Sequence, residues 1–208
     1  MFIQTQETPN PNTYKFLPGR EVMPGSTLNF RSPAQAARSP MAAELMALEG
    51  VVGVFYGEDF ISVSKSDEFA WESLKPHVLG IIMENFVKNT PLLVEVGAEA
   101  KARPMAPGPN DRLDESADLP DFNKEQDEET QAIVGEIKEL LESRVRPAVA
   151  QDGGDITFYG YEDGVVYLQM QGACSGCPSA SVTLKNGIEN MLKHYVPEVQ
   201  EVRAVEGD

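Results

Sequence analysis

The sequence has little positive charge and no long hydrophobic run. Lys and Arg number 17 against 33 Asp and Glu, so the formal net charge is -16. Such a charge repels phosphate backbones and anionic lipid headgroups, which argues against nucleic acid and membrane surfaces as partners. The longest apolar run, residues 78–83, is far shorter than the roughly 18 residues that a membrane-spanning helix needs.

The first residues also lack a targeting pattern. Residues 1–7 have neither the basic start and apolar block of a secretion signal nor the Arg-rich pattern of a transit peptide. We therefore expect a cytoplasmic protein of bacterial type, or a protein of an organelle matrix if the chain is eukaryotic and already processed.

Cysteine is scarce, since only Cys174 and Cys177 occur and two residues separate them. This pair cannot staple the fold as disulfides do in small secreted domains. In a reducing compartment a close pair of cysteines is a metal half-site, a redox pair or two small packed residues.

The periodic patterns stop in residues 98–124, where prolines alternate with Asp and Glu. This composition is typical of a flexible acidic linker, which would let the flanking domains move independently. We expect an α+β protein with two small α/β-sandwich domains, residues 1–97 and 125–208, joined by this acidic, Pro-rich linker.

The first domain shows short strands and two helices. Pro40 suits the first position of a helix that starts at Ser39, and Pro76 is predicted to open the second helix because proline inside a helix is costly. The predicted strands are 1–6, 13–17, 28–30, 51–55 and 60–64, the last two forming a hairpin.

The second domain is predicted to have the order α-β-β-α-β. Its first helix carries the apolar stripe Ile133, Ile137, Leu140, Leu141 and Val145 and is expected to end at Pro147. The other predicted elements are strands 156–161 and 165–170, a helix from Pro178 to about His194, and strand 199–205.

The cysteines lie in a loop between a predicted strand and a helix that Pro178 opens. Cys177 would then fall at or near the N-cap, where backbone N–H groups and the helix dipole lower thiol pKa values and favour thiolates. Gly176 lets the backbone curl, so that both sulfurs can converge on one side of the loop.

A complete iron-sulfur or zinc site usually has four ligands, and this chain offers two thiolates. His194 lies at the far end of the same predicted helix and His77 in the other domain, so neither is placed to help. Two subunits that each contribute Cys174 and Cys177 across a two-fold axis would supply four thiolates. A shared zinc ion and a thioredoxin-like thiol-disulfide pair remain alternatives, and two buried structural cysteines are the least favoured one.

Three segments of the second domain resemble a known family: Asp152-Gly153-Gly154-Asp155, the stretch from Cys174 to Ser179, and residues 184–189. They are similar to the NifU-like C-terminal domain of iron-sulfur scaffold proteins. Residues 7–19 resemble the start of the Nfu N-terminal domain. The order of the two matches is that of bacterial and mitochondrial Nfu proteins.

This resemblance implies a carrier and not an enzyme. It implies a 4Fe-4S cluster bridging the C-terminal domains of two subunits, with a 2Fe-2S cluster as the other form. It also implies a homodimer when loaded, upstream cluster-assembly proteins as donors and apo iron-sulfur proteins as recipients. Ala180 replaces a frequent serine of the family, at a position not expected to bind iron.

Overall fold

The computed structural model describes residues 2–94, 127–175 and 178–205, without the side chains of residues 178–181. These residues form two small α+β domains, which confirms the predicted fold class. The predicted linker, residues 98–124, lies outside the described residues. Within the described part, no helix combines the length and the apolar character needed to cross a membrane.

The N-terminal domain is a five-stranded antiparallel sheet in the order β1-β2-β5-β4-β3, with helices packed on one face. Its strands are β1 Gln4–Glu7, β2 Thr13–Leu17, β3 Leu28–Phe30, β4 Val51–Tyr56 and β5 Ile61–Lys65. Its helices are α1 Pro33–Ala36, α2 Pro40–Met46 and α3 Trp71–Val87. Helix α1 is the one element here that the sequence did not predict.

Helix α3 does not begin at Pro76, so that prediction is wrong. The helix begins at Trp71 and contains Pro76. The Trp71 indole N–H donates to the carbonyl of Pro11 at 3.1 Å, and the indole packs against Tyr14 with ring centroids 4.8 Å apart. These tertiary contacts hold the first turn of the helix in place and offset the backbone hydrogen bond that proline cannot make.

The C-terminal domain has the predicted α-β-β-α-β order, with a three-stranded sheet ordered β6-β7-β8. Strands β6 and β7 are antiparallel, and β7 and β8 are parallel. The elements are α4 Glu128–Leu140, a π-helical turn Leu141–Val145, α5 Arg146–Gln151, β6 Gly154–Glu162, β7 Val165–Gly172, α6 Pro178–Tyr195 and β8 Glu201–Val205.

Pro147 does not end the first helix of this domain, contrary to the prediction. The π-helical turn precedes it, and the Arg146 N–H bonds to the carbonyl of Leu141, five residues earlier. Pro147 is then the second residue of α5, close to a position that tolerates proline. The helical segment therefore continues to Gln151, and a short turn connects it to β6.

The two domains are in contact. The outer face of the N-terminal sheet, opposite its helices, lies against the turn between α5 and β6 and against the end of β7. The sequence predicted domains that move independently, whereas this structure shows them docked.

Candidate metal site

The cysteine loop follows directly from the last residue of β7. Gly172 has a φ of +63°, which glycine adopts at little cost. The backbone N–H of Ser175 donates to the Gly172 carbonyl at 3.1 Å, and the Ser175 hydroxyl donates to the same oxygen at 2.9 Å. The chain therefore reverses sharply at Cys174 before α6 begins.

Cys174 is buried, with 5% of its surface exposed, and packs in the core of the C-terminal domain. Its sulfur lies so close to the backbone of Gly154 that a Cβ atom there would be 2.5 Å from Sγ. Only glycine leaves room for the sulfur at this point of β6. The glycine pair of the Asp152-Gly153-Gly154-Asp155 segment is thus part of the site.

Burial, with smaller contributions from the nearby carboxylates of Asp152 and Asp155, raises the pKa of Cys174 to about 12. The sequence predicts a lowered thiol pKa at the helix N-terminus, where Cys177 would lie, whereas the burial of Cys174 acts in the opposite direction. Loading a metal onto Cys174 in this arrangement would release a proton and require partial exposure of the sulfur.

Cys177 lies outside the described residues, so its convergence with Cys174 stays a prediction. His194 is exposed near the end of α6 and His77 is exposed in α3, as expected for ordinary surface histidines. No group of three or more His, Cys, Asp or Glu side chains in residues 2–94, 127–175 and 182–205 is arranged to hold a metal ion.

An ion pair supports the start of β6. The buried carboxylate of Asp155 accepts from Arg146 Nε at 2.8 Å and Nη2 at 2.9 Å. It also accepts from the Thr27 hydroxyl of the other domain at 2.8 Å. The Asp155 carboxylate beside Arg146 raises the pKa of the guanidinium. Sequence reasoning missed Arg146, because nothing in the helical pattern marks one basic residue as a partner of Asp155.

Both domains match known family models. Residues 3–89 match the model described as scaffold protein Nfu/NifU N terminal, and residues 137–203 match the NifU-like domain. The class defined by these two domains and the paired cysteines is that of a scaffold protein. The chain belongs to the Nfu/NifU family.

Curated relatives agree with this assignment. The human NFU1 iron-sulfur cluster scaffold homolog, mitochondrial, is 45% identical over 100% of this chain and 73% of its own length. The Drosophila persimilis protein of the same name is 49% identical over 100% of this chain and 66% of its own length. Arabidopsis thaliana NifU-like protein 5, mitochondrial, is 48% identical over 97% of this chain and 67% of its own length.

Proposed function

We propose that this chain is an iron-sulfur cluster scaffold in which two copies hold one 4Fe-4S cluster through Cys174 and Cys177 of each. The observation that carries the proposal is the spacing of Cys174 and Cys177, two residues apart between β7 and α6, in a chain that has no other cysteine. Two thiolates cannot complete the coordination of a cluster, so a second subunit supplies the other two. The family membership of both domains supports this assignment.

The cluster is cargo in this proposal. A site shared between two subunits lies at their interface, where thiolates of a recipient can replace those of the carrier one at a time. The chain therefore accepts clusters from upstream assembly proteins and delivers them to apo iron-sulfur proteins, without catalysing a reaction itself. A 2Fe-2S cluster on the same four thiolates is the other form that the ligand set accommodates.

The thiol-disulfide alternative finds little support in the site. Redox-active cysteine pairs have lowered thiol pKa values, whereas burial raises the pKa of Cys174 to about 12. A zinc ion shared by the same four thiolates is the remaining alternative, and metal analysis distinguishes it directly.

The names of the relatives bear on the cellular location. The relatives from human, Drosophila persimilis and Arabidopsis thaliana carry "mitochondrial" in their names. We propose an organelle matrix if the source is eukaryotic and the cytoplasm if it is bacterial.

The test is anaerobic reconstitution with iron and sulfide, followed by measurement of iron, sulfide and zinc per dimer. We expect about four irons and four sulfides per wild-type dimer, and a near-complete loss in Cys174→Ala and in Cys177→Ala, since each change removes two of four thiolates.

Ser175→Ala is the matched control, because Ser175 lies between the two cysteines and its hydroxyl donates to the Gly172 carbonyl. We expect it to retain the cluster. Wild-type iron content in either cysteine variant would rule out the ligand assignment, and zinc without sulfide would favour the alternative metal.

A further inference from the structure

The outer face of the N-terminal sheet is buried although its side chains are largely polar. Side chains alternate along a strand, so Lys15 of β2, Phe55 of β4 and Ser62 of β5 point away from the helices that cover the inner face. In a two-layer domain that outer face normally meets water. Here Lys15 is 7% exposed, and Phe55 and Ser62 are 1% exposed each.

The C-terminal domain is what covers this face. The Ser62 hydroxyl donates to the Gly153 carbonyl at 2.6 Å. The Lys15 ammonium donates to the carbonyls of Ala150 at 2.8 Å and Gln151 at 3.3 Å. The sheet thus binds the backbone of the turn that leads into β6.

Two glycines allow this close approach. A Cβ atom on Gly153 would lie 2.8 Å from the Ser62 hydroxyl oxygen, and one on Gly172 would lie 3.0 Å from the Phe55 ring. Gly153 and Gly172 also have φ values of +82° and +63°. Gly153 belongs to the segment that carries the family resemblance. In this structure its lack of a side chain allows the two domains to come into contact.

The docked face also holds the cysteine loop directly. Asn10, 3% exposed, donates from Nδ2 to the carbonyls of Ala173 and Ser175 at 3.3 Å each. These two carbonyls flank Cys174. Further contacts at the edge join Thr27 to Asp155 at 2.8 Å and Arg31 to the Met170 carbonyl at 3.3 Å.

From these contacts we infer that the outer face of the N-terminal sheet is an internal docking surface for the cysteine loop, and that it competes with the second subunit for that loop. The competition with a second subunit rests on the proposed function, whereas the docking surface does not. A cluster shared by two subunits needs both cysteine loops facing each other. In the docked form Asn10 lies against the carbonyls on both sides of Cys174, while β2 and β5 hold the adjacent turn at residues 150–153.

Docking and cluster loading are therefore opposed. Loading must first break the domain contact, so the net free energy of loading is less favourable by the free energy of that contact. Loading in turn releases the docked face. In the loaded dimer Lys15, Phe55 and Ser62 become accessible to solvent. Exposure of this face therefore distinguishes the cluster-loaded protein from the empty one.

The first test uses the apo full-length chain and needs no cluster. Ser62→Glu places a charged, larger side chain where the Gly153 carbonyl sits, and should separate the domains. We expect amide NMR resonances of residues 150–155 and 171–175 to shift, although they are remote from residue 62 in sequence. Val52→Glu, at an exposed position of β4, is the matched control and should leave them unchanged.

A second variant covers the case in which Ser62→Glu does not fold. Lys15→Met removes the ammonium, which lies over the Phe60 ring and donates to the carbonyls of Ala150 and Gln151, and keeps an apolar side chain of similar length. It should shift the same resonances to a smaller extent. If neither variant changes these resonances relative to Val52→Glu, the docking surface is wrong.

The second test measures the rate of anaerobic cluster loading in the same full-length variants. We expect Ser62→Glu to load about threefold faster or more, because a larger share of its molecules has an undocked loop. Equal loading rates in Ser62→Glu and Val52→Glu, together with shifted resonances, would overturn the competition. Failure of the proposed function would show differently, as absence of cluster from the wild type while the resonance shifts persist.

Discussion

Gly154, the first residue of β6, contacts Cys174 in the loop that follows β7. A Cβ atom at Gly154 would lie 2.5 Å from Cys174 Sγ and 2.7 Å from the Gln171 carbonyl oxygen. Neither neighbour can move freely, since one belongs to the backbone of β7 and the other to the packed loop. The glycine thus determines where the sulfur lies.

We expect Gly154→Ala to destabilise the C-terminal domain by about 1–3 kcal/mol, because overpacking forces backbone or side-chain shifts. Denaturant-dependent amide exchange in β6 and β7 would measure the free energy of unfolding. Gly135→Ala in α4 is the control, since a Cβ there meets nothing within 4 Å. It should stabilise by about 0.5–1 kcal/mol, as alanine favours helix. Destabilisation of equal size in both variants would contradict the steric explanation.

At the scale of elements, proline has opposite roles in two helices of the N-terminal domain. Pro40 is the first residue of α2, behind the N-cap Ser39, whose hydroxyl accepts from the Ala42 N–H. Pro76 lies inside α3, where it removes a backbone hydrogen bond. Helix α3 tolerates this because its inner face, including Val78 and Ile82, is fully buried.

We expect Pro76→Ala to stabilise the N-terminal domain by about 1–3 kcal/mol, since alanine restores the missing hydrogen bond of α3. Pro40→Ala should have the opposite sign and cost about 0.4–1 kcal/mol, because proline suits that position and restricts the unfolded chain. Urea unfolding followed by the fluorescence of Trp71, the single tryptophan, measures both. A loss of stability in Pro76→Ala would show that its ring packing outweighs the hydrogen bond.

For the whole molecule, charge opposes association of the empty chain. The formal net charge of -16 repels a second copy, although salt screens much of this repulsion. The docked N-terminal domain adds to this opposition, because Asn10 binds the carbonyls on both sides of Cys174. Binding of a shared cluster has to overcome both effects.

We therefore expect the apo-protein to be monomeric and the cluster-loaded protein dimeric, because a cluster held by two chains adds its binding free energy to association. Anaerobic sedimentation of apo and loaded protein at micromolar concentration is the measurement. Cys174→Ala treated in the same way is the control and should stay monomeric. A tight apo dimer would contradict cluster-controlled assembly.

Local chemistry in the sequence determined most elements. The strand predicted at 13–17, after the turn-forming Pro and Asn residues at 9–12, is β2, and the N-cap Ser39 with Pro40 placed α2. Asp163 and Gly164, with φ values of +48° and +82°, form the turn between β6 and β7. These features depend on neighbours within a few residues, so one sequence suffices to read them.

Tertiary contacts decided the rest. The start of α3 depends on the hydrogen bond from Trp71 to the carbonyl of Pro11. The helix continues through Pro147 because a π-helical turn precedes it.

The cysteine pair and its glycine segment were evident from the sequence, whereas the burial of Cys174 and the contacts of Asn10 were not. Asn10 and Ala173 are 163 positions apart in the chain, and their hydrogen bond forms only when two separate domains dock. The spacing of residues within one segment carries no information on such a contact.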